Sequence, residues 1–304
     1  MSALSDFYFH IVLPRPIGMW LWIVLLIQGS VGISADNLQA TLSPKSIGPG
    51  DFSVLTITSP PPDRILGASV CLRGESFQGY RLGDAWKAII AVRALAPPGK
   101  YPVSITVVDE EGHQKAQTLS LRVHPKTFPI QKIKVAPAKG KLMSKEILNR
   151  EREILIQAMR ESVDMPLWEG KFALPVSGRV TSDFGKKRYL NGRLWGQHSG
   201  LDLSARMGTP VLAPSGGRVA YTGKLWMRGN TLILDHGFGV FSLFNHLSAF
   251  VTQPGDVVQT GQAVARTGAT GLVNGPHLHW EVRIGTVPVN PWPLIREGLP
   301  LTPG

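Results

Sequence analysis

Apolar and polar residues alternate along most of this chain, and a period of two predicts strands rather than helices. Phe52–Ser59 (FSVLTITS), Tyr101–Asp109 (YPVSITVVD) and Thr118–His124 (TLSLRVH) all alternate, the last placing Leu119, Leu121 and Val123 on one face. Beyond about Leu167 the alternation returns in Thr231–Gly237 (TLILDHG), Val240–Leu247 (VFSLFNHL) and His277–Ile284 (HLHWEVRI). Gly, Pro, Asn and Asp fill the gaps, as in Ser59–Pro62, Pro97–Gly99, Asp109–Gly112, Pro214–Gly217, Gln253–Asp256 and Gly268–Gly271, which is turn chemistry. One stretch has a different period. After Ser144, a capping residue, Ile147, Leu148, Ile154, Leu155, Ala158 and Met159 fall on one stripe of a helix with charges elsewhere.

These patterns predict an all-β protein: a small β-sandwich over residues 36–126, a linker with an amphipathic helix over 127–166, and a larger antiparallel β-sheet domain over 167–304. The run PPGKYPVSITVVDEEG, followed by another alternating strand, resembles the closing hairpin of an immunoglobulin-like sandwich. That fold's cysteine–tryptophan–cysteine pattern is absent here. Residues 1–35 stand apart. Ile17–Ile33 is apolar, follows Pro14-Arg15-Pro16 and precedes Ser34-Ala35, the pattern of a signal peptide cut after Ala35. The alternative is a retained anchor, a membrane tether through residues 17–33. Either way the body of the protein is expected outside the cytoplasm, in the periplasm or cell envelope.

Composition adds two constraints. The formal net charge is +11, which fits an anionic partner such as nucleic acid, anionic lipid or a cell-wall polymer without choosing among them. The single cysteine, Cys71, excludes an intrachain disulfide, and its setting (ASVCLRG) predicts a buried small hydrophobe rather than a nucleophile.

Five of the eight histidines lie beyond Leu167. In the strand His277–Ile284, alternation places His277, His279, Glu281 and Arg283 on one face and Leu278, Trp280, Val282 and Ile284 on the other. Two imidazoles side by side suit a metal or proton-transfer site, and an isolated pair also fits a solvated sheet face. Upstream, GQHSGLDLSA places His198 and Asp202 four apart, a spacing that shares a face if one strand holds both. Together with His277 or His279 they would make a set of two nitrogens and one oxygen. Three protein ligands leave zinc a fourth position for water, the catalytic arrangement, whereas structural zinc sites more often use cysteines. The remaining histidine of the pair and His246 then suit hydrogen bonding or proton transfer.

HSGLD, GTPVLAPSGGRV, NTLILDHGFG, NHL, GATGLVNGPHLHWEV and VNP follow one another over roughly residues 170–292. In that order they resemble the lysostaphin/LytM-type zinc endopeptidases, which cut peptide bonds in bacterial peptidoglycan. The resemblance implies one zinc per chain held by His198, Asp202 and His279, with His246 and His277 as the catalytic histidines. It also implies peptidoglycan peptide as substrate. Gly271, Gly275 and Pro276 would present the His277 strand. His236 is expected to be structural. Phe244 stands where many relatives have tyrosine, which would remove a hydroxyl near the site. Lys186-Lys187-Arg188 is expected either to hold an anionic substrate or to be a solvated loop. Trp195, Trp226, Trp280 and Trp292 are expected in packing, with Trp195 or Trp226 as alternative groove residues.

Some proteins with this domain have lost ligands and activate cell-wall amidases instead. That alternative predicts a broken motif, yet all five positions are intact here. Nucleic-acid binding has no recognition motif behind it. The resemblance covers enzymes for glycine bridges and for direct D-alanyl–diaminopimelate cross-links. With no separate wall-targeting module evident beyond the β domain, the direct cross-link is the expectation.

Overall fold

The computed structural model describes residues 38–58, 65–133 and 144–301, so the apolar segment Ile17–Ile33 lies outside the described residues. Among the described residues no helix is long and apolar enough to cross a membrane. They all fall within one compact unit, Ser34–Gly304.

The first part of the chain folds into two sheets. One has the order Gln39–Ser43, Phe52–Thr58, Ala85–Ala91, Tyr80–Leu82, and the other Ser46–Ile47, Gln114–Val123, Gly99–Asp109, Ile65–Leu72, Glu75–Gln78. Strands Gly99–Asp109 and Gln114–Val123 form a long antiparallel hairpin, and Val103, Ile105, Val107, Leu121 and Val123 are buried. Alternation also settles Cys71. In Ile65–Leu72 the neighbours Val70 and Leu72 face the core, so Cys71 between them is exposed rather than buried. Apolar sequence neighbours are the wrong guide there, because adjacent strand residues point to opposite faces.

The second part is built on one large antiparallel sheet. Its path runs Val180–Ser182, Leu201–Ser204, His277–Ile284, Val240–Leu247, Gly229–Gly237, Gly217–Leu225, Val257–Val258, with Val287–Val289 hairpinned on His277–Ile284. Val240–Leu247 is buried at every residue, as a central strand covered on both sides should be. Register separates the two faces, since directly opposed residues project to the same side. Phe244 stands opposite Trp280 and Ser242 opposite Val282; this side joins the main core. Phe241 stands opposite Arg283, Leu243 opposite Glu281 and Asn245 opposite His279.

That second side carries two things. At one end the helix Lys145–Ala158, capped by Ser144 Oγ accepting the Ile147 N–H at 3.3 Å, buries Leu155 and Met159 against Leu225, Ile233, Phe241 and Leu243. At the other end lies a groove containing His277 and His279. The basic connector contributes Ile130–Ile133, which pairs parallel with Lys187–Leu190 and so extends the hairpin Lys187–Leu190/Arg193–Gln197. The two parts of the chain share one core: Tyr80 stacks on Phe238 at 4.8 Å, and the Asn290 N–H donates to the Gly50 carbonyl at 2.8 Å.

Candidate metal centre

Strand pairing brings the first two candidate ligands together. Leu201–Ser204 runs antiparallel to His277–Ile284 with Asp202 opposite His279 and Ser204 opposite His277. His198 arrives differently. It follows the strand Arg193–Gln197, and Ser199-Gly200 separates it from Leu201, so His198 and Asp202 do not share one strand. The expected i, i+4 face is replaced by a turn that folds the imidazole back over Asp202. A Cβ on Gly200 would stand 2.1 Å from the Trp280 carbonyl oxygen, so the chain passes there only as glycine.

Three atoms converge. His198 Nε2 lies 2.9 Å from Asp202 Oδ1 and 3.0 Å from His279 Nδ1, and His279 Nδ1 lies 2.7 Å from Asp202 Oδ1. Each ligand is also held from behind. His198 Nδ1–H donates to the Asp183 carbonyl at 2.7 Å, and Trp292 Nε1–H donates to the Asp183 carboxylate at 2.7 Å. His279 Nε2–H donates to Glu281 Oε1 at 3.1 Å, and Arg188 Nη2 donates to Asp202 Oδ2 at 3.3 Å. Protons on the outer nitrogens leave the inner ones as lone pairs, so two imidazole nitrogens and a carboxylate oxygen point at one place. Such lone pairs repel unless a cation sits among them, and two nitrogens with one oxygen suit a divalent cation of the imidazole-binding class.

The electrostatics agree. Burial lowers the His198 pKa and so favours the neutral ligand form. Burial alone would raise Asp202, but the hydrogen bonds with His198 and His279 outweigh it and hold the carboxyl well below its usual range. For His279, burial is outweighed by Asp202 and Glu281, which raise its pKa; the proton they favour is the one a cation displaces.

His246 reaches the same place by breaking the strand's alternation. Asn245 already points to the groove side, so its neighbour should point into the core. A left-handed φ of 65° at His246 turns the imidazole back, with ring centroids 5.0 Å from His277 and 6.1 Å from His279. Its Nδ1–H donates to the Thr270 carbonyl at 2.9 Å, leaving Nε2 as an acceptor. Burial first, then His279 and His277, pushes its pKa down to about 3. His277 is fixed alike, Nδ1–H to the Gly275 carbonyl at 3.0 Å, with Nε2 3.8 Å from Asp202 Oδ1. Four of the five candidate residues, Asp202, His246, His277 and His279, therefore line a groove of about 820 Å³, and His198 is buried behind them; the lining also includes Trp195, Arg228 and, from the first part of the chain, Arg93 and Leu95.

Other expectations divide. His236 is structural: buried, with Nδ1–H donating to the Gly216 carbonyl at 2.7 Å and Nε2 accepting from Ser242 Oγ at 2.8 Å. Trp280 is core and Trp195 lines the groove, while Trp226 stands outside that lining. Phe244 is fully buried on the core side, so a tyrosine hydroxyl at that position would point away from the centre. Lys187 and Arg188 lie in a strand, and Arg188 binds Asp202 instead of sitting in a solvated loop. Gly271 has φ of 79° and packs against Gly229, whereas Gly275 needs neither positive φ nor close approach.

Four residues in the network were not expected from sequence to be partners of the ligands. Glu281 is 1% exposed, accepting from His279, from Ser199 Oγ at 2.9 Å and from Arg283 Nε at 2.8 Å. Its place two residues beyond His279, on the same strand face, was the available signal. Arg188, Arg228 and Glu151 gave none as ligand partners, because their contacts join distant segments.

Residues 196–291 match the model of Peptidase family M23. The DD-carboxypeptidase/endopeptidase Mpg of Neisseria meningitidis is 40% identical over 113 residues, 37% of this chain and 26% of that protein. The peptidoglycan DD-endopeptidase ShyB of Vibrio cholerae is 35% identical over 114 residues, again 37% of this chain and 26% of the relative. The matched stretch is thus about a quarter of each relative's length. A solved structure of a peptidase M23 protein from Pseudomonas aeruginosa has the same fold, with TM-score 0.58 and 24% identity over 83% of this chain and 95% of that one.

Proposed function

We propose that this protein is a zinc-dependent endopeptidase that hydrolyses peptide bonds in peptidoglycan stem peptides or cross-links. The observation that carries this reading is the convergence of three lone pairs, each fixed from behind, beside two histidines in an open groove. His198, Asp202 and His279 would hold one zinc per chain. Bound there, zinc would supply Lewis acidity, polarising the scissile carbonyl and lowering the pKa of a water toward about 7.

The chain's own groups then do the rest. His246 and His277 commit their Nδ1 protons to backbone carbonyls, so each Nε2 faces the groove as an acceptor. There it can take the proton of the attacking water and return it to the leaving amine. Arg188 keeps the second oxygen of Asp202 occupied and so fixes the carboxylate's orientation.

On this reading residues 36–126 are an accessory immunoglobulin-like domain, 127–166 a linker, and 167–304 the peptidase domain, exported to the envelope by residues 1–35. The names of the Vibrio and Neisseria relatives favour direct cross-links as the bond cut. The +11 charge suits an anionic wall polymer. The intact ligand and histidine set favours an enzyme over an amidase activator.

The test is digestion of defined cross-linked muropeptides by zinc-loaded protein, with fragments identified by mass. Cleavage of a peptide bond, abolished by a chelator and restored by zinc, is expected. No cleavage across glycine-bridged and directly cross-linked substrates, or cleavage indifferent to the chelator, overturns the reading.

A further inference from the structure

The helix Lys145–Ala158 docks on the same sheet face that carries the groove, and one position of its buried stripe is not apolar. Glu151 lies four residues from Ile147 and four from Leu155, the spacing of a single helix face, and is 0% exposed. Burying a carboxylate is costly unless its oxygens are paired. Both oxygens of Glu151 are paired, and both partners belong to the turn before the strand Gly229–Gly237. Oε1 accepts the Met227 N–H, and Oε2 accepts Arg228 Nη1–H at 3.0 Å.

Arg228 leads from there to both halves of the centre. Its Nη2 lies 3.7 Å from Glu281 Oε1, the same oxygen that accepts His279 Nε2–H. Its backbone carbonyl accepts the His246 N–H at 2.8 Å, at the residue whose left-handed backbone turns that imidazole into the groove. Arg283 occupies the other oxygen of Glu281 through two donors, so it does not replace Arg228 at Oε1. Without Glu151, Arg228 loses its fixed partner, and its guanidinium is free to compete with His279 for Oε1 or to swing into the groove.

We propose that Glu151 is a positioning residue of the metal centre. Through Arg228 it orients His279 by way of Glu281 and fixes the backbone of His246, so the seating of the connecting helix sets metal affinity and turnover. The inference rests on the zinc-peptidase reading above.

The experiment uses the full chain as wild type, Glu151→Gln, Glu151→Asp and Glu151→Leu. Zinc affinity is measured by competition with a chromophoric chelator, kcat and KM on a defined muropeptide, and folding by thermal melting. Partners of metal ligands typically contribute 10- to 100-fold in affinity. Glu151→Gln and Glu151→Leu should therefore bind zinc roughly tenfold or more weakly and lower kcat with KM little changed. Glu151→Asp should recover part of both, which a packing role alone would not predict.

If the Glu151 variants do not fold, Arg228→Gln carries the test and must weaken zinc binding in folded protein. In the double variant Glu151→Gln/Arg228→Gln the losses should not add, because both act through one path. Wild-type zinc affinity and kcat in folded Glu151→Leu or Arg228→Gln would overturn the proposal. Wild-type protein that binds no zinc, or cleaves without it, would instead sink the zinc-peptidase reading.

Discussion

Two places in the described structure bring aspartate, glutamate and histidine atoms close enough to hold a cation: Asp109/Glu111/His113 and His198/Asp202/His279. They use similar side chains and differ in what stands behind each donor. In the first, the His113 and Glu111 side chains are 64% and 78% exposed. Asp109 Oδ1 there accepts the backbone N–H groups of Glu111 and His113, at 3.1 and 2.8 Å, and so serves the turn. In the second, every donor is buried or nearly so and its outer atom is fixed by a partner of definite polarity. Spacing brings donors together, but fixed outer partners decide whether lone pairs or protons face inward.

The largest effect that would test this contrast is His279→Ala. It removes the nitrogen that stands opposite Asp202 in the sheet, and zinc content should fall from about one per chain to background, with loss of muropeptide cleavage. The matching His113→Ala change should alter neither. Metal analysis of both purified variants decides it, and zinc loss in the His113 variant would break the distinction between the two clusters.

His246→Ala comes next. Its Nε2 is not among the three converging atoms, so the variant should keep its zinc while kcat falls by about 10²–10⁴-fold, the usual range for a proton-transfer group. Metal content measured on the same sample as kcat separates the two roles. Loss of zinc in this variant would move His246 into the ligand set.

Much of this was legible wherever a rule depends only on neighbouring residues. Alternation in HLHWEVRI put His277, His279, Glu281 and Arg283 on one side and the apolar residues on the other, as the register has it. The C-terminal half of the helix stripe was legible for the same reason: Leu155 and Met159 are buried, with Ile154 and Ala158 packed beside them. What escaped depends on a break in the period or on a partner far along the chain. The left-handed backbone at His246 and the turn at Gly200 both undo simple alternation. The resemblance places position 244 near the site, whereas strand parity sends Phe244 to the core, opposite Trp280. Glu151 could have been flagged as a carboxylate inside an apolar stripe, but its partners Met227 and Arg228 lie 76 and 77 residues away.

His236 gives the smallest and most specific test, because it is a buried histidine of the same sheet with no free nitrogen. One ring nitrogen donates to Gly216 and the other accepts from Ser242, so no lone pair is left for a cation. Burial pushes its pKa down to about 4 from 6.5, against the smaller opposing effects of Gly216 and Asp235. The folded form therefore resists a proton that the unfolded chain binds, and the unfolded state holds more protons between those two values. Stability from this residue is full above pH 6.5, declines as pH falls toward 4, and is flat below that. At about 1.4 kcal/mol per pKa unit the whole decline is roughly 3 kcal/mol. Denaturant unfolding of zinc-free protein at several pH values should show a shallower acid slope for His236→Asn than for wild type. Its amide can still donate to Gly216 but cannot take up a proton. Equal slopes would mean that the acid sensitivity of this sheet resides in groups other than His236, the depressed carboxyls of Asp202 and Glu281 among them.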